Sequence, residues 1–320
     1  GQDLHNTLFN FNPLHINPAN TGAFSGTARV GGIYRDQSRT ALGGDAYSTP
    51  SFFADAPVLM VGKRHWVGVG IMAFQDRAGT LGFETSALLF SGAFHFSMDK
   101  KSKNVLTLGV QGGPINRSLD CTDALFEDGQ DAVCNNMGGG NQPGQGNEVS
   151  ADATDINVGL LLTSQIGKTT NLKVGVSGRH VNSPDLSFGA DPEGEQGFRF
   201  IGHAGVETPI NDKVSLEPTV YFTNMDNVSQ FQMQAWGGYM LNEDKNIKLL
   251  AGLGYRFGDA GEVLLGLDYG NLKVGFGYDM TLTDLADVNN GVGAFELAAN
   301  YIFRIYKKPK VNQKIVCPRL

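Results

Sequence analysis

The stretch NLKVGFGYDM, Asn271 to Met280, reads with a period of two. Leu272, Val274, Phe276, Tyr278 and Met280 fall on one face; Asn271, Lys273, Gly275, Gly277 and Asp279 fall on the other. Strict alternation is the signature of a strand with two unlike faces. The last regular stretch repeats it: Phe295, Leu297, Ala299, Tyr301 and Phe303 share one face, and Ala294, Glu296, Ala298, Asn300 and Arg304 the other. KVSLEPTVYF (213–222) and NIKLLAGLGYRF (246–257) behave alike.

Extending the reading outward predicts fourteen strands: 27–35, 50–59, 65–75, 83–97, 104–117, 153–166, 171–180, 197–208, 213–223, 230–241, 247–257, 261–269, 271–280 and 292–304. Most are longer than the five or six residues of a typical soluble strand and reach the ~9–11 that span a bilayer. Connections after even-numbered strands are short, and most after odd-numbered strands are longer, above all 118–152 and 181–196. An even count of long alternating strands, with short turns at one rim and long loops at the other, is the pattern of an outer-membrane β-barrel. A large soluble β-sandwich also alternates; the strand lengths, the aromatic face and the opposing glycine and polar face favour the barrel.

Charge divides the same way. The long loops hold eighteen acids and two bases, a sum of −16, while the short turns sum to about +3. With an even strand number both termini are expected at the short-turn rim, assigned to the periplasm, with the long loops extracellular. The expected organisation is an N-terminal segment (1–26), a barrel (27–304) and a basic periplasmic tail (305–320).

The composition agrees with one all-β unit. Among 320 residues there are 43 Gly, 20 Phe, 2 Trp and 3 Cys, and 18% are charged. A net charge of −7 lacks the basic stripe of a nucleic-acid binder. No apolar run is long enough for a transmembrane helix. The start has no basic segment followed by an apolar run, so either the chain is not exported or its numbering begins after a removed signal peptide.

Signs of catalysis are lacking, and no enzyme activity is expected. The six histidines are scattered, with no His-Glu-x-x-His pair, nucleophile elbow or P-loop. GLGYRFG (252–258) lies in a strand and reads as a glycine-lined face. His65 and Trp66 open a strand where amphipathic rings sit at a membrane interface. Cys121 and Cys134 are candidates for a disulfide within the 118–152 loop, two free thiols being the other reading; Cys317 is left over. That loop carries seven acids and no base. It can bind calcium, but its spacing fits no EF-hand, and a solvated acidic loop is the plainer reading. The tail holds Lys307, Lys308, Lys310 and Lys314, candidates for docking to a periplasmic partner, beside the plain reading of a disordered end.

FNPLHINPANTG, Phe11 to Gly22, breaks the strand pattern. Pro13 and Pro18 fix φ and remove two backbone donors, so neither a helix nor a central strand is expected. Asn12 and Asn17 are pushed toward extended conformations. Leu8, Phe9, Phe11, Leu14 and Ile16 make an irregular, apolar segment that is stable only if covered. Residues 1–26 are expected to tuck into the lumen and partly plug it. Arg29, Arg35, Arg179, Arg199 and Arg256 fall within strands; they either pair with Glu207, Glu217 or Asp268 or each satisfy the lumen's polarity.

The motif Phe11, Asn12, Pro13, Ile16, Asn17, Pro18, Gly22 is followed by Tyr34, Arg35 and Gln37, by Pro57, and by Asp76 and Gly79. In this order they resemble the PorP/SprF family of type IX secretion system outer-membrane proteins of Bacteroidetes, densely over 1–115 and diffusely beyond. The 118–152 insertion is not part of that pattern. The resemblance implies a fourteen-stranded barrel; apart from the calcium considered above, no cofactor is expected. It implies a role in protein secretion: anchoring or displaying a secreted surface protein, such as a gliding-motility adhesin, through that cargo's C-terminal domain. Periplasmic or peptidoglycan-binding secretion components are the other implied partners, with outer-membrane lipid around the wall. A translocation component docking to that machinery and a passive porin are the alternatives.

Overall fold

The computed structural model describes residues 6–37, 47–78, 83–120, 148–188, 194–226, 228–282 and 292–305. Fourteen strands follow one another: Ala28–Gln37 (β1), Tyr47–Val61 (β2), His65–Ala78 (β3), Phe83–Ser97 (β4), Asn104–Asp120 (β5), Glu148–Ile166 (β6), Thr170–Arg179 (β7), Arg199–Pro209 (β8), Val214–Met225 (β9), Val228–Asn242 (β10), Ile247–Arg256 (β11), Ala260–Tyr269 (β12), Leu272–Thr281 (β13) and Val292–Phe303 (β14). Each pairs antiparallel with its sequence neighbours, and β1 pairs with β14 from Ala28↔Phe303 to Gln37↔Ala294, closing a barrel. Closure leaves every spanning strand paired on both sides, which a bilayer's dry interior requires. No helix among the described residues is long and apolar enough to cross a membrane.

The period of two sets the two faces. In β13 Leu272, Phe276 and Met280 are exposed on the outside while Gly275, Gly277 and Asp279 are buried inside. Outward rings cluster at both ends of the wall: Tyr239, Tyr269, Tyr301 and Phe303 toward the short turns, and Tyr34, Phe231, Tyr255 and Phe257 toward the long loops. Such girdles mark the two interfaces of a bilayer. Short turns are closed locally; the Asp99 carboxylate accepts from the backbone N–H groups of Lys101, Lys103 and Asn104.

All fourteen expected strands are present in the expected order. The largest departure is β6, which starts at Glu148 rather than 153 because Val149 to Asp152 pair with Leu119 to Asn116 of β5. Residues of low strand propensity are held there by their partner strand. Pro57 sits inside β2, where the register with β3 shifts between Pro57 and Leu59. A bulge is where a sheet tolerates a residue without an N–H.

The N-terminal stretch corrects one expectation. It is a chain of single helical turns: 3-10 turns at Phe9–Phe11 and Pro18–Asn20, and an α-helical turn, α1, at Pro13–Ile16. Pro13 and Pro18 open their turns. A proline there gives up an N–H that has no partner in the helix anyway. Asn12 and Asn17 precede them outside the helical region, at φ −119° and −160°. The prolines therefore punctuate the helix rather than forbid it.

The barrel ends meet the expectation only in part. β1 begins and β14 ends at the short-turn rim. Ahead of β1, however, the chain turns back into the lumen, and Thr7 contacts Asp279 and Arg256 near the long-loop ends of β13 and β11. The first described residues thus lie at the opposite end from the short-turn rim.

Candidate functional site

The lumen and the chain inside it make up the most elaborated polar site. From Thr27, whose N–H donates to the Phe303 carbonyl, the segment climbs along the inner wall. Gly22 turns it at φ +71°, a left-handed conformation suited to glycine. Its N–H donates to Asp55 Oδ2 at 2.7 Å, and its carbonyl accepts from Trp66 Nε1 at 3.1 Å. Thr21 Oγ1 donates to Ser91, and the Thr21 carbonyl lies 2.8 Å from His95 Nε2. Trp66 stacks on His95 with centroids 4.5 Å apart.

Higher up, Asn17 binds two strands at once. Its Nδ2 donates to the carbonyls of Leu160 and Val176 at 3.0 and 3.1 Å, and its Oδ1 accepts from Ala19 N. Asn12 Nδ2 donates to Ser51 Oγ, and the Ile16 carbonyl accepts from Ser177 Oγ. The wall is cut to fit. A Cβ at Gly109 would lie 2.3 Å from Ala19 N, and one at Gly68 2.3 Å from the Thr21 carbonyl oxygen. The inward glycines are where the segment's backbone touches the wall.

The segment's apolar side chains enter three separate pockets. Leu14 packs with Phe53, Met72, Leu89 and Ile115, and Leu186 of the 180–188 loop closes that pocket from above. Leu8 and Phe11 pack with Ile33, Trp236, Leu250 and Leu264. Phe9 and Ile16 pack with Ile201 and Tyr221. All five are at most 4% exposed. At about 1.5–3 kcal/mol for each side chain of this size, their burial is the main force holding the segment in place. The inner face is therefore not uniformly glycine and polar; bulky apolar residues interrupt it under the segment.

Thr7 is the upper anchor. Its N–H and that of Leu8 donate to the two oxygens of Glu296, at 2.6 Å each. Its Oγ1 donates to Asp279 and accepts from Arg35 and Arg256, and its carbonyl accepts from Gln232 and Gln234. Around it Arg35 pairs with Glu296 and Asp279, and Arg256 with Asp279, Glu262 and Asp259. Apart from the half-exposed Asp259, these charges are desolvated, so each needs its partners.

Of the two readings of the strand arginines, the ladder with Glu207, Glu217 or Asp268 is not the one that Arg29, Arg35 and Arg256 follow. Arg29 pairs with Asp55 at 2.8 Å, and Arg35 and Arg256 pair as above, none of them with Glu207, Glu217 or Asp268. Those three acids lie toward the short turns, whereas Arg35, Arg179, Arg199 and Arg256 lie toward the long loops. Arg179 faces the His15 ring, 2.7 Å from Nδ1, and Arg199 donates to Thr223 and Tyr221. Trp66 corrects another reading. It points inward onto the segment, while its neighbour His65 faces outward and stacks on Phe96 at 4.7 Å.

Of the motif residues, Phe11 contacts Trp236, Pro13 offers its carbonyl to Asn20, and Pro18 lies against Gly109. Arg35 reaches Gln37 as well as the acids, and Asp76 accepts from Thr49 Oγ1. Tyr34 is outside, against Phe295. Gly79, Cys121, Cys134, Lys307, Lys308, Lys310 and Lys314 lie outside the described residues, as does most of the acidic loop considered for calcium. Among the described residues no group of three or more His, Cys, Asp or Glu side chains could hold a metal ion. The residues that sequence reasoning missed are Thr7, Asp55, His95, Gln232, Gln234, Glu262, Asp279 and Glu296. The alternation had already placed Asp279 and Glu296 on the polar face.

A family model described as type IX secretion system membrane protein PorP/SprF matches residues 1–301. No curated protein matches the chain. Among solved structures, the deltaS2S3 mutant of the TodX monoaromatic hydrocarbon channel is similar at TM-score 0.54 and 12% identity, over 90% of this chain and 93% of that one. The CymD monoaromatic hydrocarbon channel is similar at 0.51 and 12%, over 93% and 94%. A FadL homologue of Pseudomonas aeruginosa reaches 0.49 and 13%, over 90% and 93%. For the two hydrocarbon channels, at 12% identity, the likeness is one of fold.

Proposed function

This chain belongs to the PorP/SprF family of type IX secretion system membrane proteins, and from that premise we propose that it is an outer-membrane anchor. In this reading it captures a protein exported by that system and holds it at the cell surface. The long loops face outward and the short turns face the periplasm. The observation that carries the reading is the filled lumen. Residues 6–26 bond to wall strands around the barrel, from Asp55 of β2 through Leu160 and Val176 to Glu296 of β14. A wall built to bind its own chain suits a holder better than a conduit. The acidic long loops offer the outer surface to a basic partner.

A second reading, docking to periplasmic secretion components, draws on the sequence after Ile305, which carries five bases and no acid. Purification from the native membrane in mild detergent, through a C-terminal tag, separates the two. Near-equal recovery of one large surface protein supports the anchor. Recovery of periplasmic components without it supports docking, and recovery of the barrel alone overturns both.

A further inference from the structure

β6 is longer than the neighbour that should cover it. It pairs with β5 from Glu148 to Ser164, but with β7 only from Val158 to Ile166. Among the described residues no strand pairs with Glu148–Asn157 on its other side. Near its lower end the 180–188 loop substitutes for a strand. Val181 N–H donates to the Ile156 carbonyl, and the Asn182 side chain accepts from Ile156 N–H and donates to the Thr154 carbonyl. The loop then turns inward, where Leu186 enters the lumen.

Successive residues of a strand aim their main-chain groups to alternate sides. Ile156 bonds on the β7 side, so Thr154, Asp152 and Ser150 aim that way too. No described residue bonds the outward main-chain groups of Ser150 and Asp152. The outward side chains change character at the same height. Ile156, Val158 and Leu160 are apolar, while Thr154, Asp152 and Ser150 are polar and exposed. This edge therefore stands above the apolar band, in water. Edges are usually blunted by proline, lysine or a bulge. EVSADAT, 148–154, has neither proline nor lysine, and its register with β5 is unbroken.

We propose that the edge of β6 at Ser150–Asp152 is a strand-addition site, and that its occupant is an extended, basic segment of the secreted surface protein. The proposal rests on the anchor reading above and names where the partner docks. Main-chain bonds to Ser150 and Asp152 supply the affinity, as in other strand-addition complexes. The exposed Asp152 carboxylate, whose Oδ1 also accepts from Asn116 Nδ2 at 2.8 Å, selects a lysine or arginine on the partner strand.

Two measurements on the complex purified from the native membrane test this. The first is amide exchange across 148–154 in the barrel alone and in the complex. The amides of Ser150 and Asp152 exchange fast in the barrel alone and slow in the complex. The second compares Ser150→Pro with Ser150→Ala. Proline removes an edge donor without touching the bonds to β5. It should reduce the retained partner about tenfold, the scale of one or two main-chain hydrogen bonds, while alanine leaves retention unchanged. Protection already present in the barrel alone overturns the proposal, because the protein's own loops then cover the edge. Unchanged exchange on complex formation, or equal retention by both variants, also overturns it and leaves the anchor reading standing. If the wild-type barrel retains no surface protein, the anchor reading fails and the edge proposal falls with it. If the proline variant does not assemble, the exchange comparison on the wild type decides.

Discussion

Glu296 and Thr7 stand 289 positions apart in sequence and 2.6 Å apart across a hydrogen bond, and the other oxygen of the same carboxylate takes the N–H of Leu8. One side chain of the last strand thus holds the first described turn of the chain. Glu296 also pairs with Arg35, so the carboxylate neutralises a buried charge and caps two amides together.

Glu296→Gln removes that charge. The amide cannot accept from both N–H groups, and Arg35 loses one of its two acids. Breaking a buried pair from one side costs about 3–5 kcal/mol. The barrel wall stays folded, since its ladders are untouched, while residues 6–12 loosen. Limited proteolysis and amide exchange of that stretch read the change; unchanged protection there refutes the assigned anchor.

Glycine substitutions separate contact from composition. Gly109→Ala puts a Cβ 2.3 Å from Ala19 N, where only backbone could yield. Gly92→Ala meets nothing within 4 Å. The first should displace the segment and cost about 1–3 kcal/mol or more, as overpacking does; the second should change stability by less than about 0.5 kcal/mol. Urea midpoints of the two variants in detergent give the comparison, and equal midpoints would sink the close-fit argument.

Asn17→Ala leaves the Leu160 and Val176 carbonyls without their side-chain donor. The expected loss is about 1–3 kcal/mol. Asn17→Asp should do worse, because a carboxylate replaces the donor and faces two carbonyl oxygens. A ranking of wild type, alanine, aspartate in thermal stability is the outcome to look for; aspartate equal to wild type contradicts the assigned bonds.

Deleting residues 2–22 empties three apolar pockets and strips partners from Asp55, Asp279 and Glu296. The truncated barrel should conduct in planar bilayers where the full chain stays closed, and should lose stability. A truncated protein as closed and as stable as the full chain would show that the segment does not block the lumen.

Much of the fold was legible because a strand's two faces meet different solvents. Alternation over NLKVGFGYDM and its counterparts gave strand number, order and inward face. Boundaries failed where pairing overrides propensity, as at Val149–Asp152, which β5 holds in the sheet. The opening motif stood out through its prolines and apolar residues, and its tendency to bury followed from exposure cost alone. Its helical turns were missed because two prolines were read as breakers rather than as first residues of turns.

What the sequence by itself determined is what depends on near neighbours along the chain: strands, faces, rims and the need to cover residues 8–16. Which carboxylate meets which guanidinium depends on strand register, tilt and closure, which bring Arg35, Arg256, Asp279 and Glu296 together around Thr7. The same long-range geometry turned Trp66 inward and left the edge of β6 at Ser150 and Asp152 without a bonded partner among the described residues. No local pattern encodes a meeting of residues almost 300 positions apart; the closed sheet decides it.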